Sequence, residues 1–327
     1  MSAALLSTVG AGLVLIWGFA IAPAPATVTG GDLPMTPGNA APLTTMRHEA
    51  VPSLIAQLDS PVPAARALVA CALAERKADA TPATASLIAL LDDDAPVSPY
   101  VCREEWWRNG DADFPARWYD LQPTTPGQEA ARALKAIGAT VFEPVLRVLP
   151  SGGNHARRNA AWVLGALKDE RAVPPLVAQL ADKVAAVRDH VAWALGAIDD
   201  ARAVDALARV VVQDDSADVR KQAAWALGAI RDAKAVDALV KALRDKDYDV
   251  RKQAAWALGA IRDGRAVDPL IAALKDTQSD VRKQVAWALG AIGDARATDG
   301  LTAALDDSDS DVRKQAAWAL GAVIRHR

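Results

Sequence analysis

Histidine and cysteine, the residues that most often carry catalysis or hold metals, number only four and two in 327 residues. His48-Glu49 is followed by Pro52 where a His-Glu-x-x-His motif needs its second histidine, which excludes that zinc-peptidase signature. There is no glycine-rich phosphate loop, no metal-ligand spacing and no pair of carboxylates in a plausible pocket, so no catalytic residue, metal or cofactor is expected. Two cysteines are too few for a disulfide framework. Cys71 falls on a predicted helix and reads as a core thiol, whereas Cys102 lies in an insertion, which leaves a single bridge open if the chain is exported. Phenylalanine and tyrosine occur three times each, against ten tryptophans. The formal charge of -3 disfavours a dedicated nucleic-acid binder, while leaving room for a local basic stripe.

Positive charge is also absent from the N-terminus, where no Lys or Arg precedes Arg47. Residues 3–22 are uncharged and include the apolar run Leu13-Val14-Leu15-Ile16-Trp17-Gly18-Phe19. Residues 1–26 therefore read as a signal peptide or a transmembrane anchor: Ala24-Pro25-Ala26 suits cleavage, and the length suits a span, although the basic start of a signal peptide is missing. Residues 27–45, rich in Thr, Gly, Pro and Ala, read as a flexible linker. Export or membrane anchoring in a bacterium, with the following repeats extracytoplasmic, is the expected localisation, and a cytoplasmic one stays open.

What the chain has in abundance is repetition. A phrase ending Ala-Trp-Ala-Leu-Gly-Ala-Ile returns at Trp193, Trp225, Trp256, Trp287 and Trp318, with a looser copy at Trp162. The spacing is 31 residues except for one step of 32, which carries an extra residue near Asp214-Asp215. A fixed period of this size implies stacked supersecondary units. In one unit, Val236, Leu239, Val240 and Leu243 form the apolar stripe of a short helix. A polar turn follows, and Val250, Ala254, Ala257, Leu258 and Ile261 share the buried face of a second helix. Worn copies extend the array back to Glu49, giving eight units over residues 46–327, one of them interrupted by an insertion at 94–126.

These residues resemble the short HEAT-like repeat of phycobilisome-lyase-related proteins. The resemblance implies an all-α, right-handed superhelical solenoid of about eight helix pairs. It also implies an Asp/Arg ladder in the turns, here Asp245 with Arg251 and Asp276 with Arg282, the arginine bonding to that aspartate and to the neighbouring unit. HEAT-like tails of some bacterial zinc-peptidase antibiotic sensors look similar as well.

On a helical wheel Trp256 falls opposite the buried face, beside Lys252 and Gln253. In solenoids of this kind second helices line the concave side. The expected surface is a row of Trp162, Trp193, Trp225, Trp256, Trp287 and Trp318 alongside Lys221, Lys252, Lys283 and Lys314. A parallel row holds Gln222, Gln253 and Gln284, with Gln315 after them and Asn159 and His190 at the earlier places. The tryptophans either stiffen the stack or bind an extended or acidic partner, and both roles are compatible. Trp106, Trp107 and Trp118 in the insertion form a second candidate surface. The reading is a non-enzymatic protein-interaction scaffold with a protein or peptide partner. The alternatives are an extracytoplasmic sensor for a peptide or cell-wall fragment and, further off, a bilin-lyase-like or nucleic-acid-binding protein. Membrane contact through residues 3–22 and end-to-end self-association stay open.

Overall fold

The computed structural model describes residues 43–99, 101–102 and 123–325. The apolar segment of residues 1–26, most of the linker, and Trp106, Trp107 and Trp118 lie outside them. No helix among the described residues is long and apolar enough to cross a membrane.

The array starts a little before its sequence-based boundary. Leu43 and Met46 in helix α1 (Leu43–Met46) are buried against the first repeat, so the expected linker gives way to packed structure three residues early. Eight helix pairs follow among the described residues. They are α2 (Val51–Gln57) with α3 (Pro63–Arg76), α4 (Thr84–Leu90) with α5 (Pro126–Ile137), and α6 (Phe142–Leu146) with α7 (Asn154–Leu167). Then come α8 (Val173–Gln179) with α9 (Ala185–Ile198), α10 (Val204–Gln213) with α11 (Ala217–Ile230), and α12 (Val236–Ala242) with α13 (Tyr248–Ile261). The last are α14 (Val267–Ala273) with α15 (Ser279–Ile292), and α16 (Thr298–Ala303) with α17 (Ser310–Arg325). The extra residue of the 32-residue unit is absorbed by α10, which is the longest of the first helices.

Local signals set these boundaries. An aspartate opens each of the later repeats: Asp169, Asp200, Asp232, Asp263 and Asp294 each accept the backbone N–H two residues on, which starts a 3-10 turn leading into the first helix. Second helices α7, α9, α11 and α13 end on a left-handed residue (Lys168, Asp199, Arg231, Arg262), and α15 ends on Gly293 at φ 76°. Only at Gly293 is that conformation free of a side-chain penalty.

Neither helix of a pair can bury its apolar face alone, and the core is a continuous strip from Leu43 to Val323. Successive second helices pack on one another more extensively than successive first helices do. Alanine and glycine make that approach feasible. A Cβ on Gly259 would lie 2.7 Å from Trp287 Cζ3 and 2.8 Å from the Ala288 Cα, and Gly165, Gly196, Gly228 and Gly290 face the next tryptophan in the same way. Gly321, by contrast, would meet only the Arg325 side chain at 3.6 Å. Gly259→Ala is therefore expected to cost about 1–3 kcal/mol through overpacking. Gly321→Ala should be neutral or stabilising by up to about 1 kcal/mol through helix propensity. Thermal and urea melts of the two variants beside wild type check the pair.

Candidate interaction surface

The turns between first and second helices are tied by arginine forks. Arg251 on α13 donates Nη1 to the carbonyl of Asp245 in its own repeat (2.9 Å), and Nε and Nη2 to the carboxylate of Asp276 in the next (2.6 and 2.9 Å). Arg282 does the same with Asp276 O and the Asp307 carboxylate, and Arg188 and Arg220 follow suit. Arg66 and Arg157 extend the ladder to the earlier repeats through Asp93 and Asp182. Each arginine from Arg188 to Arg282 thus bonds to the aspartate six residues before it and to the neighbouring unit, as the resemblance implies. It takes only that aspartate's backbone carbonyl, because the carboxylate is already held by the preceding repeat's arginine and by its own N–H two residues on.

These paired side chains are nearly buried, 5–14% exposed for arginine and 6–11% for aspartate from Arg157 to Asp307. At Asp182, Asp214, Asp245 and Asp276 burial pushes the carboxyl up. The arginine hydrogen bonds, the backbone N–H and the arginine charge more than offset it, leaving each group below the ordinary aspartate range. At Asp307 the Arg282 hydrogen bonds lead and the direction is the same.

A second ladder escaped the sequence reading although its signal recurs as Asp-x-Arg-Ala. Arg202, Arg265 and Arg296 each clasp the aspartate two residues before them and reach a carbonyl of the preceding repeat, at Glu170, Ala233 and Gly264. Its arginines are exposed, so each pair contributes little.

On the second helices the anticipated row falls in register. Counting from each ladder arginine, the Lys position comes one residue later, Gln two, Trp five and the seam glycine eight. The tryptophans are not free on a face. Trp162, Trp193, Trp225, Trp256 and Trp287 are half-buried against the core, and from Trp193 onward each Cζ3 edge lies on the glycine of the preceding repeat. Trp162 and Trp193 stack with ring centroids 6.2 Å apart and planes 9° from parallel. Trp318 is 47% exposed. The lysines are not an unbalanced basic stripe either. Lys221, Lys252, Lys283 and Lys314 each bond an aspartate three residues earlier (Asp218, Asp249, Asp280, Asp311), so the row carries both signs. Of the polar row, Asn159 is buried and donates to the Leu91 carbonyl at 2.8 Å, and His190 Nδ1 sits 3.1 Å from the Ala186 carbonyl. Gln222, Gln253 and Gln284 are half-buried, and among the described residues no side-chain hydrogen bond engages their carboxamides.

The first two repeats depart from this pattern. Cys71 occupies the Trp place on α3, and Glu129 the Gln place on α5. Cys71 is bridged to Cys102, with Cα atoms 5.9 Å apart, and Val97 and Thr124 pair across the root of the insertion. The core-thiol reading of Cys71 thus gives way to a cross-link.

The HEAT-repeat family model matches residues 142–228, 173–253 and 236–321, together more than half of the chain. The chain belongs to the HEAT-repeat family. No curated protein matches it in sequence. Among solved structures, YibA of Escherichia coli is 21% identical with a TM-score of 0.54, over 86% of this chain and 98% of that one. An engineered protein is 28% identical with a TM-score of 0.47, over 56% and 96%. The complex of CpcE and CpcF of the phycocyanin lyase of Nostoc sp. PCC7120 is 21% identical with a TM-score of 0.40, over 93% and 99%. These likenesses concern the fold. As a HEAT array, the protein is a repeat scaffold of a generally protein-binding type.

Two outcomes follow for this scaffold. The ladder carboxyls have folded pKa values below the unfolded value of about 3.9. Their stabilisation is therefore complete above that pH and is lost as pH falls through the folded values. Melting midpoints should drop steeply below about pH 4. Asp276→Asn should cost about 3–5 kcal/mol at neutral pH, by leaving Arg251 buried without its carboxylate, and should show a flatter acid limb. Separately, the Cys71–Cys102 bridge spans 31 residues. Cys102→Ser should remove about 3–4 kcal/mol of stability, read as a lower melting midpoint than oxidised wild type.

Proposed function

We propose that this protein is a non-enzymatic scaffold whose second-helix row receives an extended segment of a partner protein. The carrying observation is the line of unengaged, half-buried carboxamides at Gln222, Gln253 and Gln284 beside half-buried indole rings. A carboxamide offers one acceptor and two donors, which suits the alternating N–H and C=O groups of an extended backbone. The tryptophans, held in the seam by the glycines behind them, supply flat apolar surface at little entropy cost. The closer packing of second helices than of first helices supports placing this row on the inner side of the array. The paired Asp218–Lys221, Asp249–Lys252 and Asp280–Lys283 charges favour a segment bearing both signs or neither over a purely acidic one.

Residues 1–26 support export or membrane anchoring, and the Cys71–Cys102 bridge supports an oxidising compartment. The array would then work outside the cytoplasm.

The test leaves the seam intact. A random peptide library is panned against wild type, and the selected peptides are titrated against the variant carrying Gln222→Ala, Gln253→Ala and Gln284→Ala. Losing three backbone-directed amides should weaken binding at least tenfold, on the order of 1.4 kcal/mol or more, with the melting midpoint unchanged. Peptides bound equally by both proteins would show that the Gln row is not the working surface.

A further inference from the structure

The cysteine pair and Glu129 carry chemistry that the scaffold does not use. The two Sγ atoms and a carboxylate oxygen of Glu129 lie within 4.8 Å of one another. Glu129 is 3% exposed, and its two oxygens are treated differently. Oε1 accepts from the Thr124 hydroxyl at 2.6 Å and from the Arg132 guanidinium. Oε2 points at Cys71 Sγ, 3.6 Å away, and makes no other hydrogen bond among the described residues. A disulfide sulfur has no proton to donate, so in the cross-linked state a buried carboxylate oxygen faces a group that cannot satisfy it, at a cost in free energy.

We propose that, with the cysteine pair reduced, Cys71, Cys102 and Glu129 form a binding site for a thiophilic divalent cation of the zinc class. Two thiolates and a carboxylate are a fitting donor set for such an ion. Ligand atoms around a tetrahedral zinc stand roughly 3.3–3.8 Å apart at bond lengths of about 2.0–2.3 Å. The cluster reaches that spacing by opening the S–S bond and turning the side chains. The charges also close: two thiolates and Glu129 carry three negative charges, the cation brings two positive ones, and Arg132 on Oε1 supplies the third. Cys102 is half-buried, so the fourth position is open to water or an outside ligand. Both helical contributors break the repeat where later units have Trp and Gln, so the site replaces the regular pattern at one seam. Cross-link and metal site are mutually exclusive states of the same atoms.

The experiment uses the full chain, reduced under argon with a water-soluble phosphine. The phosphine takes the oxygen of a water molecule. Its electron pair and the two protons of that water convert the S–S bond into two thiols, which release both protons to buffer on binding metal. Titration with Co2+ should give thiolate-to-cobalt charge-transfer absorption and tetrahedral d–d bands that saturate at one equivalent and bleach on adding Zn2+. Glu129→Gln should weaken Co2+ binding at least about tenfold, Cys71→Ser should abolish the charge-transfer band, and the oxidised chain should take up no metal. The melting midpoint of the reduced wild type should rise with Zn2+, which keeps the test decisive if a variant folds poorly. Absence of the cobalt bands and of the Zn2+ shift in reduced wild type, unchanged affinity in Glu129→Gln, or equal uptake by the oxidised chain would overturn the proposal.

Discussion

From the third repeat onward, each repeat is fastened to the next by one arginine that serves two turns at once. Arg220 holds the Asp214 carbonyl behind it and the Asp245 carboxylate ahead, and Arg251 takes over at Asp245 O and Asp276. The planar guanidinium permits this, because its donors point in two directions within one rigid group. Three of the groups that must be desolvated in each turn, a carbonyl, a carboxylate and a guanidinium, are satisfied together. The penalty of burying charge is offset only while the whole set is in place. Apolar packing gives the array its bulk stability, whereas these forks fix the spacing and direction in which units follow one another.

The seam between second helices obeys a steric counterpart. A tryptophan edge can press against the preceding helix only where that helix has no Cβ, and the glycines at 165, 196, 228, 259 and 290 provide the gap. Under the proposed function, the same half-buried indole would serve both the stack and the partner segment. This is why the carboxamides, which the stack does not use, separate the two roles more cleanly than the tryptophans do.

Much of the architecture was legible because one unit, once read, is read six times over. Helix pairs, their order and the place of the insertion all follow from apolar spacing plus a fixed period. What sequence spacing could not show is which partner a charge selects. Arg251 is equally consistent with bonding Asp245 or Asp276, and only the fold shows that it uses the backbone of one and the carboxylate of the other. Lys252 likewise reads as part of a basic row until Asp249, one turn earlier, is seen to neutralise it. The pairing of Cys71 with Cys102 depends on where the root of the insertion returns, information absent from either helix.

The 31-residue identity of the second-helix row has a consequence for anything that lies along it. A ligand short enough to span two units meets the same indole, carboxamide and charge pair after sliding by one repeat. Several registers are then nearly degenerate, and affinity gains a statistical factor without any gain in precision of placement. Register is fixed only where the pattern changes. Those points are Asp189 and His190 in α9, the buried Asn159 in α7, and the Cys71–Glu129 seam near the start of the array. For an extended ligand on this row, the regular units would measure length and the irregular ones would set where to begin.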